Sequence, residues 1–225
     1  MMRMPRFLRR LRGDTSGLAL TEFALALPLL SLTGLGALEL SNYAMTSLRI
    51  SQAAIHLADN ASRIGDSDQL SAQRIYEGDI EDLMIGVRIQ AGSTLGLYDN
   101  GRVVLSSLER NSDDGQWIHW QRCMGTKQSN SSFGTEGTGQ TGTSFAGMGP
   151  SGREIQASAN EAVMFVEVLY DYQPIVDSAI VEPFMPSRTI SSTAAFIVRG
   201  SRDLSQIYQR TPPSTVWSCD KYQKV

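Results

Sequence analysis

The chain has few of the residues on which enzyme active sites and metal centres usually depend. Its 225 residues include two histidines and two cysteines. Acid–base chemistry would therefore rest on carboxylates, and none of them lies in a recognised catalytic motif. The sequence has no Gly-x-Ser-x-Gly elbow, Cys-x-x-Cys pair, His-Glu-x-x-His helix or EF-hand loop. We therefore expect no active site, no cofactor and no small-molecule substrate.

Two short patterns have the form of binding sites but lack the surroundings that such sites need. Residues 137–142 read Gly-Thr-Gly-Gln-Thr-Gly, yet no helix pattern follows to direct its amides at a pyrophosphate. His119, Cys123 and Cys219 could supply three zinc ligands. Residues four apart on a strand do not converge on one ion, however, and a fourth ligand is missing. We predict an exposed histidine beside a disulfide, and no metal site.

A basic surface is also lacking. The first 17 residues hold five arginines and one aspartate, a net charge of +4 against −3 for the whole chain, which leaves −7 for residues 18–225. An acidic chain without a basic stripe argues against nucleic-acid binding. The arginine cluster directly precedes an apolar run, and Arg49 is the first cation after that run. This asymmetry predicts a cytoplasmic N-terminus and an outer, periplasmic C-terminal domain.

The apolar run is the most informative stretch of the chain. Leu18–Leu38 contains 21 residues, about 31 Å of helix, which is enough to cross a bilayer. Pro28 should kink or loosen that helix. Glu22 is a charge inside the run and needs a partner, because a charge at the bilayer centre costs about 2.5–3.5 kcal/mol. If the chain is cut after Gly17, the new α-amine of Leu18 can pair with Glu22 in the same chain or in a neighbouring copy.

The residues around this predicted cut form a recognisable signature. A small residue at the cut, apolar residues beyond it and a glutamate at the fifth mature position are typical of type IV prepilins and pseudopilins. The run Glu-Phe-Ala-Leu-Ala-Leu-Pro-Leu-Leu at residues 22–30 is similar to the TadE-like family of tight-adherence (Tad) pilus pseudopilins. The similarity extends over residues 9–43.

The resemblance implies a minor, non-enzymatic pilus subunit. Such a protein inserts into the bacterial inner membrane, is trimmed by a prepilin peptidase and can join an extracellular pilus. Its partners would be that peptidase, other pilins and the Tad secretion machinery. Gly17 and Leu18 would be the processing residues, and Glu22, Phe23 and Pro28 would act in assembly.

Two other interpretations of the apolar run remain open. As a secretory signal, it would use the arginine-rich residues 3–12, an apolar core at Phe23–Thr33 and a cleavage site at Gly34-Leu35-Gly36. Against this, Glu22 adjoins the apolar core and the helical pattern continues past the cut. As an uncleaved single-pass anchor, the run would carry a periplasmic domain that binds a partner protein or an envelope polymer.

We expect an α+β fold, in which a long transmembrane and amphipathic helix packs on an antiparallel sheet, as in pilins. The amphipathic part is predicted from apolar residues at three- and four-residue spacing between Leu40 and Ile64. A second helix is predicted over Gln69–Met84, capped near Ser67 or Asp68. The predicted organisation is a basic leader at 1–17, a membrane helix at 18–40, an amphipathic extension at 41–65 and an α+β domain at 66–225.

Turn residues predict where the sheet begins. Thr94–Tyr98 and Arg102–Leu108 flank Asp99-Asn100-Gly101, and Asn-Gly suits the tight turn of a hairpin. A second turn at Asp113–Gly115 leads into a strand at Gln116–Cys123.

Two later segments alternate apolar and polar residues and complete the predicted sheet, Val163–Tyr172 and Thr189–Val198. We expect a meander-like arrangement with one apolar face under the long helix. Glu167 and Asp171 should lie on the other, solvated face.

Residues 126–152 differ from the rest in composition. These 27 residues include seven glycines and ten serines or threonines, too little apolar surface to fold alone. They predict a flexible insertion, either a solvated loop or a surface displayed to partners. Beyond the membrane, the conditions are oxidising, so Cys123 and Cys219 are predicted to form a disulfide.

Overall fold

A computed structural model describes residues 16–65, 72–176 and 187–224. Its elements in chain order are α1 (Ser16–Ala61), α2 (Glu77–Ala91), α3 (Leu97–Asn100), β1 (Gly101–Arg110), β2 (Gln116–Met124), β3 (Val163–Asp171) and β4 (Thr189–Ile197). The predicted α+β class, with a long N-terminal helix on an antiparallel sheet, is confirmed.

Contacts divide the chain into two compact units. The first combines Met1–Tyr43 with Pro174–Met185, and the second combines Ala44–Gln173 with Pro186–Val225. The last part of α1 therefore belongs to the same unit as the sheet. The predicted leader at residues 1–17 lies almost wholly outside the described residues.

Helix α1 is 46 residues long and continues through Pro28. Within the second unit it buries one face against the sheet, formed by Ile50, Ala53, Ala54, Leu57, Ala58 and Ala61. Arg202 closes the end of the helix, since its Nη2 donates to the carbonyl oxygens of Ala61 at 3.0 Å and Ile64 at 2.7 Å.

The four strands lie in the order β2-β1-β3-β4, and each neighbouring pair is antiparallel. The predicted meander is wrong in one respect, because β3 pairs with β1 instead of β2. Residues 125–162 connect β2 to β3 and carry the chain to the far side of β1. On the helix side, Ser192 of β4 donates to Ser51 of α1 at 3.3 Å.

Strands β1 and β3 are buried on both faces, which corrects the prediction of one apolar face. Residues 126–152 are not a separate flexible loop, since three of their apolar side chains pack on the second face: Phe133, Phe145 and Met148. Their contacts on the sheet and the following connection are Leu108, Ile118, Ala157, Val163 and Phe165. The few large apolar residues of the insertion thus all pack against the sheet.

Glu167 is buried, which corrects the prediction that it lies on a solvated face. Its carboxylate accepts hydrogen bonds from the backbone N–H of Ser132 at 3.0 and 3.2 Å. Asp171 is partly exposed and pairs with Nζ of Lys127 at 2.6 Å. Two acidic residues of β3 therefore hold the insertion in place.

The second helix begins and ends later than predicted. Residues 72–76 are extended and pair with the C-terminal tail, through Gln73 with Arg202 and Tyr76 with Tyr208. Asp79, rather than Ser67 or Asp68, marks the start, because its carboxylate accepts the backbone N–H of Tyr76 at 3.2 Å. The apolar spacing also continues past Met84, so the helix ends at Ala91 before Gly92.

The predicted hairpin at residues 94–108 has no first strand. Leu97–Asn100 forms the short helix α3, and the strand starts at Gly101. Leu97 and Tyr98 are both buried, and the Tyr98 hydroxyl donates to the Met84 carbonyl at 2.6 Å. Packing against α2 therefore favours a short helix at these residues over the predicted first strand of a hairpin. The second predicted turn, at Asp113–Gly115, lies between β1 and β2, which pair antiparallel.

Candidate functional site along the N-terminal helix

The N-terminal part of α1 presents apolar side chains that no described residue covers. Every residue from 17 to 35 is exposed. The large apolar members are Leu18, Leu20, Phe23, Leu25, Leu27, Leu29, Leu30, Leu32 and Leu35. Such a surface is unfavourable in water, so lipid or neighbouring helices should cover it. Within the described ranges, Gly17–Ala61 is the single helix long and apolar enough to cross a membrane.

Gly17 and Leu18 lie in the first turn of this helix. A side chain at Gly17 would meet no atom within 4 Å, so the position is open. Both residues are exposed, so the peptide bond between them lies in an exposed part of the helix.

Glu22 lies four residues after Leu18, on the same face of the helix. It is exposed, and no described cation forms an ion pair with it. A free α-amine at Leu18 would therefore be a close partner for this carboxylate.

Phe23 and Pro28 do not share that face. At about 100° per residue, Phe23 lies about 100° from Glu22 and Pro28 about 120° from it in the opposite direction. Pro28 also leaves the Ala24 carbonyl without its usual helical donor. The three predicted assembly residues point in three directions, which suits a bundle of several helices better than a single pair.

A second carboxylate on this helix, Glu39, was not among the site residues predicted from the sequence. Glu39 directly follows the apolar run, and it is only 2% exposed. Its Oε2 accepts the backbone N–H of Val176 at 3.0 Å and of Ile175 at 3.1 Å. An acidic residue at the end of an apolar run was the available signal.

The extension of α1 beyond the run is apolar on its outer face as well. It packs on its own domain as predicted, yet Leu40, Met45, Leu48 and Ile55 remain exposed. These side chains lie mostly opposite the buried face. The helix therefore keeps a surface for a further contact.

The predicted disulfide between Cys123 and Cys219 is present. It joins the end of β2 to the C-terminal tail. Two backbone bonds support it, from Cys123 N–H to the Trp217 carbonyl and from Gly125 N–H to the Gln223 carbonyl, both at 2.8 Å. The tail thus lies along the outer edge of β2.

Arg102 also holds the C-terminal tail in place, a role that the sequence did not indicate. Its buried guanidinium donates to the carbonyl oxygens of Cys219 at 2.6 Å, Lys221 at 3.2 Å and Gly125 at 3.2 Å. It also stacks over the Tyr222 ring at 4.2 Å. Burial lowers the pKa of the Arg102 guanidinium from its ordinary value.

The residues considered for zinc or nucleotide binding have other roles. His119 is 18% exposed rather than free in solvent, since it pairs with Glu109 at 2.9 Å and stacks on Trp117. In the described part of the chain, no three His, Cys, Asp or Glu residues are grouped to hold a metal ion. Gly139 is in a turn with φ 76°, and a Cβ there would lie 2.2 Å from the Gln116 carbonyl oxygen. This glycine lets the insertion approach β2.

Comparison with known proteins addresses the same helix. Residues 17–59 match the model of a family described as TadE-like protein. We refer to this stretch as the TadE-like segment. Comparison with curated proteins and with solved structures gives no match.

The TadE-like segment begins at Gly17 and contains Glu22, Phe23 and Pro28. The resemblance inferred from the sequence is therefore confirmed for this part of the chain. Together with the exposed apolar helix, it suggests a membrane-anchored, pilin-like protein associated with a Tad pilus.

Proposed function

We propose that this chain is a minor pilin, or pseudopilin, of a Tad pilus assembly system and performs no catalysis. The observation that carries the proposal is the match of residues 17–59 to the TadE-like family, on a helix whose first half is apolar and exposed. The domain built on the sheet would lie in the periplasm and could be carried outward with a pilus.

The proposed maturation is a single cut by a prepilin peptidase after Gly17. The cut removes the arginine-rich leader and creates an α-amine at Leu18. That amine then pairs with Glu22, in the same subunit or in its neighbour, and lowers the cost of holding a carboxylate in the membrane.

Assembly would follow from the shape of the mature helix. Apolar side chains on all sides of residues 18–38 can contact several neighbouring helices at once, and small residues such as Gly34 and Gly36 permit close approach. The proposed partners are the prepilin peptidase, other pilins and the Tad secretion machinery.

Two matched substitutions test the trimming step. Gly17→Ile should block the cut, because a peptidase at the membrane edge needs a small residue there. Gly34→Ile is the control, since both glycines lie on α1 and neither Cβ would meet an atom within 4 Å. We expect the leader to remain on the first variant and to be removed from the second.

The same pair separates the alternatives. Cleavage that Gly34→Ile blocks, while Gly17→Ile leaves it intact, would identify a secretory signal and contradict the proposal. A chain that keeps its first residue in the parent protein and in both variants would be an uncleaved anchor.

A further inference from the structure

The chain leaving β3 returns to α1 at the point where the apolar run ends. Glu39 follows Leu38, and its carboxylate accepts the backbone N–H groups of Ile175 and Val176 at 3.0 to 3.3 Å. Burying a carboxylate is costly unless hydrogen bonds compensate it. These bonds therefore fix residues 175 and 176 against the helix, and all three residues belong to the same compact unit.

This contact sets the depth of the connection relative to a bilayer. If Leu18–Leu38 crosses the hydrocarbon region, Glu39 lies at its outer boundary. Hydrogen bonding to Glu39 places the backbone of Ile175 at the same level. The first cation, Arg49, follows ten residues later, about 15 Å further along the helix.

An apolar side chain is exposed at this level. Ile175 is 64% exposed, although it is a large aliphatic residue. Its neighbours Pro174 and Val176 are uncharged as well. An exposed isoleucine at the bilayer boundary is stabilised by contact with lipid.

We propose that the start of the connection between β3 and β4, at residues 174–176, is a second membrane contact, in which Ile175 touches lipid and Glu39 holds this part of the chain at that depth. The partner is the bilayer surface, because the connection is fastened to the first residue after the membrane run. The inference rests on the proposed membrane anchoring of α1.

Tryptophan fluorescence in vesicles of phosphatidylcholine brominated near the headgroup end of its chains tests the inference, because bromine quenches tryptophan at short range. The full chain is reconstituted with one added tryptophan, as Ile175→Trp, or as Ile197→Trp on β4, which is 58% exposed and serves as the matched control. Leu25→Trp reports on the membrane run itself. The native tryptophans give a constant background, at residues 117, 120 and 217.

We expect brominated lipid to quench the added fluorescence of Ile175→Trp at least about twofold more than that of Ile197→Trp, because the first indole lies at the interface. Equal quenching of these two variants, with Leu25→Trp strongly quenched, would overturn the second contact and leave the anchoring intact. An unquenched Leu25→Trp would overturn the anchoring, and this inference with it.

A second substitution tests the role of Glu39. Glu39→Ala, combined with Ile175→Trp, should lose about half of the quenching or more, because the backbone bonds that hold the connection are gone. Leu40→Ala is the control on the neighbouring exposed residue and should leave the quenching unchanged. Formation of the disulfide between Cys123 and Cys219 verifies that each variant is folded. Unchanged quenching in Glu39→Ala would overturn the holding role.

Discussion

Replacing Arg102 and Cys219, singly and together, tests how the C-terminal tail is held. The disulfide joins residues 96 apart, and the chain-entropy model values such a loop at about 4–5 kcal/mol of stability. Cys219→Ser should therefore lower the free energy of unfolding by up to about this amount, and by less where the unfolded chain keeps structure.

Arg102→Met keeps most of the side-chain volume but removes the donors to three carbonyl oxygens. A hydrogen bond from a charged group contributes about 1.5–3 kcal/mol, while burying the guanidinium is itself costly. We expect a net loss of about 2–4 kcal/mol. Arg153→Met, at an exposed arginine, is the control and should change little.

The disulfide and Arg102 hold the same stretch of the tail, so the effects of removing them on release of the tail should be coupled. Arg102 binds the Lys221 carbonyl, which belongs to the peptide bond that trypsin would cut. In Cys219→Ser, Arg102 still holds this peptide bond against the domain, and in Arg102→Met the disulfide does so. We expect cleavage after Lys221 to be at least about tenfold faster in the double variant than in either single one, as an extra 1.4 kcal/mol of opening would produce.

The assay is limited trypsin digestion of the detergent-solubilised full chain, read by intact mass, alongside denaturant unfolding. If Arg102→Met adds nothing to the cleavage rate of Cys219→Ser, Arg102 does not hold the tail and the reasoning is wrong.

Three further predictions concern other parts of the molecule. Glu22→Gln should leave trimming and abundance unchanged but impair pilus assembly measured by cross-linking, while Glu22→Asp retains it; equal assembly of the two variants would refute charge pairing. Glu167→Gln should lower the free energy of unfolding by about 1–2 kcal/mol and speed hydrogen exchange at Ser132, because it weakens that bond, whereas the exposed control Glu161→Gln should do neither. Hydrogen bonds from two neighbours lower the pKa of Asp203 from 3.8 to about 2, so its stabilising contribution is complete above about pH 4 and lost as the pH falls towards 2. Asp203→Asn should therefore flatten the acid side of the stability profile, and an unchanged slope would contradict this assignment.

The parts of the fold that depend on local pattern could be predicted from the sequence. The long helix follows from an apolar run and a helical period, and β3 and β4 follow from their alternation. The turn residues at Asp113–Gly115 predicted where β2 begins. The oxidising conditions expected beyond the membrane predicted the disulfide.

The parts that depend on contacts distant in sequence could not be predicted. In the insertion, Phe133, Phe145 and Met148 are separated by glycine, serine and threonine, so no period reveals that they cover the sheet. The order of strands depends on where that insertion lies. Arg102 has no local pattern at all, because its acceptors lie more than twenty residues away along the chain.

The candidate site divides in the same way. Gly17, Glu22 and Pro28 could be proposed from the sequence because their spacing along one helix is itself the signature. Glu39 was missed because its partners, Ile175 and Val176, are brought to it by the return of the chain from β3.

The mass of the mature protein tests the central claim most directly. The full chain, expressed in a cell that has a Tad system and its prepilin peptidase, is extracted from the membrane and measured intact without reduction. We expect a mass that corresponds to a chain beginning at Leu18 and containing one disulfide. A chain that begins at Met1, or one that begins near Ala37, would contradict it.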